Sequence, residues 1–152
     1  MHMPNLKNKA VQGFTLIEVL LSLSVMAIIA GMGAPVYHSY ERQNDLDIAT
    51  GTIVQYLRRA AISAEAMAGD APWGVSIVPG KATLFRGATF ATRNQNFDEI
   101  FTLSNTITAS GLSEIVFTKM TGMPETTGSI TLTTSAYASR TININSQGMV
   151  AF

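Results

Sequence analysis

Three patterns of apolar and polar positions follow one another along the chain. From Val19 to Tyr40 there are 22 residues without Asp, Glu, Lys or Arg, which as helix would extend about 33 Å, enough to cross a bilayer. Beyond them the apolar positions thin to a three- and four-residue spacing at Leu46, Ala49, Ile53, Tyr56 or Leu57, Ala60 and Ala64. Glu41, Arg42, Asp45, Asp47, Gln55, Arg58 and Arg59 fall on the wetter side. This period predicts an amphipathic helix that prolongs the apolar one to about residue 67, where Gly69-Asp70-Ala71-Pro72 stops it.

The third pattern is a two-residue alternation. Trp73–Val78 and Lys81–Arg86 flank the turn pair Pro79-Gly80 and read as a hairpin. Residues 87–98, rich in Asn, Gln and Thr, read as a loop. Further strands are predicted at 100–107, 114–119, 129–134 and 140–145, and the turn Ser146-Gln147-Gly148 leads to a last one at 149–152. Short strands with no helix between them predict an α+β protein, a long N-terminal helix packed on a C-terminal antiparallel β-sheet or β-sandwich. Gly31, Gly33 and Pro35 weaken the helix and predict a bend or a short melted stretch around residues 31–35.

Charge changes the picture at the amino end. Lys7 and Lys9 precede the apolar run and Glu41 and Arg42 follow it, a bias that leaves the amino terminus in the cytoplasm and the remainder outside, as a single pass. The small residues of Ala30–Ala34 would also suit the cleavage site of a secretory signal. Against that reading, the run is longer than a signal core and Glu18 lies inside its start. An ionised carboxylate there is costly unless something pairs with it.

Elsewhere composition mainly excludes. The chain holds 10 Lys+Arg and 10 Asp+Glu, and residues 41–152 hold 8 basic and 9 acidic side chains, so there is no global pull toward nucleic acid. With no cysteine, disulfide scaffolds, thiolate metal sites and thiol nucleophiles are absent. His2 and His38 both precede the strands, which leaves no histidine base there for a triad. Asp98 and Glu99 are adjacent on a strand and so point to opposite faces. No phosphate loop or EF-hand spacing occurs. The expectation is a chain without catalytic residues, metal or cofactor. Arg86, Arg93, Lys119 and Arg140 are the side chains that could follow a phosphate backbone. Trp73 is either the anchor of the first strand or a ligand-stacking ring.

Gly13-Phe14-Thr15-Leu16-Ile17-Glu18-Val19-Leu20-Leu21, with its short basic leader and unbroken apolar sequel, resembles the processing and methylation site of type IV pilins and type II secretion pseudopilins. The resemblance implies a leader, residues 1–13, removed between Gly13 and Phe14 by a membrane peptidase that also methylates the amino group of Phe14. A helix over 14–68, membrane-spanning to about 37, and a globular β domain over 69–152 would then remain. Glu18 lies one helical turn from Phe14 and would set assembly register by pairing with a free amino terminus. The implied location is the bacterial inner membrane, with the globular part periplasmic. The implied partners are the prepilin peptidase/methyltransferase, other pilins or pseudopilins and an inner-membrane assembly platform. Arg58 and Arg59 would either be solvated or meet a neighbouring subunit's acids, such as Asp45 and Asp47.

The segment YLRRAAISAEA, Trp73-Gly74-Val75, Ile115-Val116-Phe117 and Ile142–Gly148 are similar to the minor pseudopilin H and FimT-like minor pilin subgroup. That implies a β-sandwich head and a structural, non-enzymatic role in a pseudopilus. The alternative is a FimT-like minor pilin that contacts DNA. This chain departs from the subgroup in lacking the cysteines some members use, and in ending Met-Val-Ala-Phe where basic residues are often found.

Overall fold

The computed structural model describes residues 13–135 and 138–152, apart from the side chains of 32–39 and 42. Contacts divide the chain into two units, residues 1–38 and 39–152. One helix, α1 (Leu16–Glu65), contributes to both. Thr15 caps its start: Glu18 N–H donates to Thr15 Oγ1 at 3.3 Å, and the acidic Glu18 in the first turn suits the helix dipole. At its end Met67 (φ 52) and Gly69 (φ 70) take left-handed conformations that turn the chain away. The carbonyl of Ala64 accepts the N–H of Met67 at 3.1 Å and also that of Met120 at 3.0 Å, from a loop far along the chain. That loop can approach because position 122 is glycine, where a Cβ would lie 2.9 Å from Ala61 O.

After the short 3₁₀ turn Ala68–Asp70, eight strands follow: β1 (Trp73–Val78), β2 (Lys81–Arg86), β3 (Asn94–Thr102), β4 (Ile107–Gly111), β5 (Glu114–Phe117), β6 (Gly128–Thr134), β7 (Ser139–Ile144) and β8 (Val150–Ala151). They form two four-stranded antiparallel sheets, in the orders β3-β2-β1-β5 and β4-β6-β7-β8. Leu46, Ala49, Ile53, Leu57, Ala60 and Ala64, the apolar face expected from their spacing, are all buried. They share one core with Val75, Leu84, Ile115 and Phe117 of the first sheet and with Ile130, Leu132, Ile142 and Ile144 of the second. In β6 and β7 the alternation is clean from Ile130 to Thr134 and from Ile142 to Ile144, with Thr131, Thr133 and Asn143 between the buried residues.

The first sheet is buried on its other face as well. Ser76, Thr83, Phe85 and Val116 point away from α1 yet are almost inaccessible. The chain between β2 and β3 folds back over them, and Phe90 packs edge-on against Phe85 with centroids 5.6 Å apart. Gly74 makes this fit, since a Cβ there would come within 2.6 Å of the Phe85 ring.

Three expectations need correction. The stretch 87–98 is not wholly loop, because β3 begins at Asn94. The strand expected over 100–107 is two strands: β3 ends at Thr102, and the chain crosses to the other sheet before β4. The helix ends at Glu65, slightly before the expected boundary. The leader, except Gly13, lies outside the described residues, as do His38 and the side chain of Pro35. Helix is assigned without a break across 31–35.

Candidate functional site

The amino-terminal segment is the first place where chemistry collects. Gly13 precedes the helix with open space around it, so the peptide bond to Phe14 is sterically accessible. Phe14 is 83% exposed, and Leu16, Ile17, Leu20, Leu21, Met26 and Ile29 are all more than half exposed. A helix apolar around its whole circumference is stable only when buried in something else. Its hydroxyls are already satisfied: Ser22 Oγ donates to Glu18 O and Ser24 Oγ to Leu20 O, both at 2.8 Å. Neither requires water. No described residue pairs with the Glu18 carboxylate, so the only local compensation for its charge is the helix amino end.

Among the described residues no helix is long and apolar enough to cross a membrane. The remainder of the apolar run falls at 32–39, whose side chains lie outside the described residues.

In the head, ion pairs fasten α1 to both sheets. Arg59 holds Glu99 of β3 through two bonds, Nη1 to Oε2 at 2.7 Å and Nη2 to Oε1 at 2.6 Å. The hydrogen bonds hold the Glu99 carboxyl below the usual carboxylate range and raise the Arg59 guanidinium. Beside them, burial raises the Tyr56 phenol. On the other sheet Arg140 of β7 reaches Asp47, with Nε at 3.1 Å from Oδ1. Arg58 donates to Val150 O of β8 at 3.3 Å. Arg58, Arg59 and Asp47 thus find partners within the chain.

The four basic side chains proposed for a phosphate backbone are engaged as well. Arg93 is only 16% exposed and its Nε lies 2.8 Å from Asp98 Oδ2, itself 9% exposed. Its guanidinium also sits 3.7 Å from the Phe90 ring centroid and donates to Phe90 O. Lys119 pairs with Asp70, whose carboxyl that hydrogen bond lowers, and Arg140 pairs with Asp47. Arg86 stacks on Phe97 at 3.9 Å. Arg86 and Arg93 share the β2–β3 end of one sheet, whereas Arg140 belongs to the other sheet, so the set is not one strand's basic track. Trp73 is half-buried against the core and donates from Nε1 to Ala68 O at 2.8 Å, the arrangement of an anchor. Sequence reasoning missed the Arg93–Asp98 clamp and the Arg59–Glu99 pair. Their residues carried no mutual spacing to find; only the return of residues 87–93 over the sheet, and the packing of β3 beside α1, bring them together.

No cluster of three or more His, Asp or Glu side chains suited to a metal occurs among the described residues. The described residues thus present an exposed apolar helix carrying one carboxylate, Glu18, and a head whose helix is tied to both sheets by ion pairs.

Comparisons with known proteins agree with that division. Residues 8–34 match the prokaryotic N-terminal methylation motif. No curated protein sequence matches the chain. Among solved structures, the chain is similar to the minor pseudopilin EpsH from the type 2 secretion system of Vibrio cholerae, with a TM-score of 0.54 and 14% identity over 70% of this chain and 94% of that one. The fold is the pilin-like α+β fold that the sequence led one to expect.

Proposed function

We propose that this chain, a type IV pilin/pseudopilin-like protein of the H type, is a minor pseudopilin, a structural subunit of a type II secretion pseudopilus and not an enzyme. The observation that carries the reading is the junction of a methylation motif to an apolar rod and an H-like head. The precursor is stored in the inner membrane with its head periplasmic. A prepilin peptidase/methyltransferase cuts between Gly13 and Phe14, and the apolar rod then packs among other pseudopilins on an inner-membrane assembly platform. Gly31, Gly33 and Pro35 supply the point where the rod bends to fit its neighbours.

Cleavage creates an amine at Phe14, four residues before Glu18. In a low-dielectric bundle an unpaired carboxylate is costly, and an amine from the same or an adjacent subunit neutralises it. Glu18 therefore favours the register that brings it to an amino terminus.

Intact-mass measurement on membrane-extracted protein tests the processing, with the expected species beginning at methylated Phe14 and Gly13→Ala accumulating precursor. A mature chain beginning after Ala34 overturns it. Deleting the gene separates the systems: loss of protein export with pili intact supports the pseudopilus, and loss of pili with export intact supports a pilus.

A further inference from the structure

The first sheet ends in an unprotected edge. β3 is nine residues long, and among the described residues its bonded neighbour is β2 alone. Leu103 N–H donates to Gly80 O at 2.9 Å, and the register then pairs Ala82 with Phe101 and Leu84 with Glu99. Because an antiparallel ladder alternates, the backbone groups of Glu99 and Phe101 face β2, while those of Ile100 and Thr102 face outward; before Glu99 the register shifts, and Arg86 pairs with Asn94. Edge strands are ordinarily blunted by lysine, proline or unpaired charge. β3 contains neither lysine nor proline, its register irregularity lies before Glu99 and leaves Glu99–Thr102 regular, and its two charges, Asp98 and Glu99, are already taken up by Arg93 and Arg59. Ile100 is left 59% exposed beside the open row.

A second feature adjoins this edge on the side facing α1. Ile48 and Ala49 of the helix, with Phe101 and Leu103, enclose an open apolar hollow of about 270 Å³. This lies under the roughly 300 Å³ at which small-molecule sites begin, and suits one large aliphatic side chain. Asp45 lines its rim, half-buried and without an ionic partner among the described residues.

We propose that β3 is a docking edge for an extended segment of a partner protein, which adds as a fifth strand, places one apolar side chain in the hollow and sets a basic residue against Asp45. The row of outward donors and acceptors requires extended backbone, the hollow selects the side chain, and the Asp45 carboxylate on its rim sets the charge beside it. A side chain two positions from the anchor lies on the same face of the added strand, so that is where the basic residue belongs. This site is independent of the assembly role read from the amino-terminal segment.

The test uses the mature full chain in detergent micelles and a labelled heptapeptide, Thr-Lys-Val-Leu-Val-Lys-Thr, with versions carrying Glu for Lys, Asp for Leu, or N-methyl groups on alternate amides in either phase. Fluorescence anisotropy reads binding, and amide exchange reads where the peptide lies. The parent peptide is expected to bind and to protect the amides of Ile100 and Thr102. One N-methylated phase should bind and the other should not, because only one edge of the peptide meets β3. Ile100→Pro deletes an outward donor without touching the β2 ladder, and should weaken binding at least about tenfold at unchanged melting temperature. Asp45→Asn should weaken it by about threefold. Failure of every peptide to bind more tightly than about 1 mM, equal binding by both N-methylated phases, or protection elsewhere than β3 overturns the proposal.

Discussion

Replacing Arg93 by alanine is expected to unfasten the outer face of the first sheet. In the native head Asp98 is 9% exposed and its partner Arg93 is 16% exposed, at 2.8 Å. Removing the arginine leaves a carboxylate in a nearly dry position, which costs about 3–5 kcal/mol. The stacking on Phe90 at 3.7 Å goes with it, worth about 1 kcal/mol. With some water entering the vacated space, a loss of about 4 kcal/mol is expected, equivalent to about 2 M in the urea midpoint. A fragment spanning residues 39–152 is suited to the measurement, since it forms one unit with its own core, and it should melt cooperatively. The chain's single tryptophan, Trp73, reports unfolding through its fluorescence. Arg93→Met combined with Asp98→Leu should recover most of the loss, because removing both charges leaves neither uncompensated. A cost for Arg93→Ala below about 1 kcal/mol, or a double variant no better than the single, refutes the reasoning.

Acid should release the Arg59–Glu99 staple. Since the folded carboxyl titrates below its ordinary value, the pair's stabilisation is complete above about pH 4.3 and is lost as pH falls through the folded value; Glu99→Gln should flatten that part of a stability-versus-pH curve. Gly111→Ala should cost at least about 2 kcal/mol in the same melts, because φ is +95° and a Cβ would lie 2.2 Å from Ser129 O. Gly51→Ala, in open space on α1, should stabilise by about 0.5–1 kcal/mol. Glu18→Gln should leave membrane insertion and peptidase cleavage intact while reducing crosslinking of cleaved subunits into filaments; normal assembly at full occupancy removes the charge from the mechanism.

The parts of the fold legible in the sequence were those whose causes are local. Pro79-Gly80 fixed the β1–β2 hairpin to the residue, since the turn dictates the register of both strands. The period from Leu46 to Ala64 identified the buried helix face because one stripe meets one core. β3 began earlier than expected because an edge strand has one neighbour and exposed sides, so Asn94, Gln95 and Asn96 can be strand while carrying the polar residues of a loop. The break between β3 and β4 had no glycine or proline to announce it, only Ser104-Asn105-Thr106 between the buried Leu103 and Ile107, three polar residues that an edge strand can also carry. At the amino end the methylation motif over residues 8–34 was readable because such a motif depends on order along the chain. The partners of Arg59 and Arg140 lie in tertiary contacts and had no such mark, and Asp98, though near Arg93 in sequence, was hidden because the stretch between them read as loop.

The seam between α1 and the sheets has a mechanical consequence. Its buried residues from Leu46 to Ala64 extend along about 27 Å of helix, with Arg140–Asp47 on one sheet and Arg59–Glu99 on the other. A pull along the helix axis loads these contacts in shear, so the interlocked side chains and both ion pairs resist together. A pull across the axis would peel them one turn at a time at much lower force. The head thus holds fast to the stretch of α1 packed on it under lengthwise traction and yields first to leverage from the side.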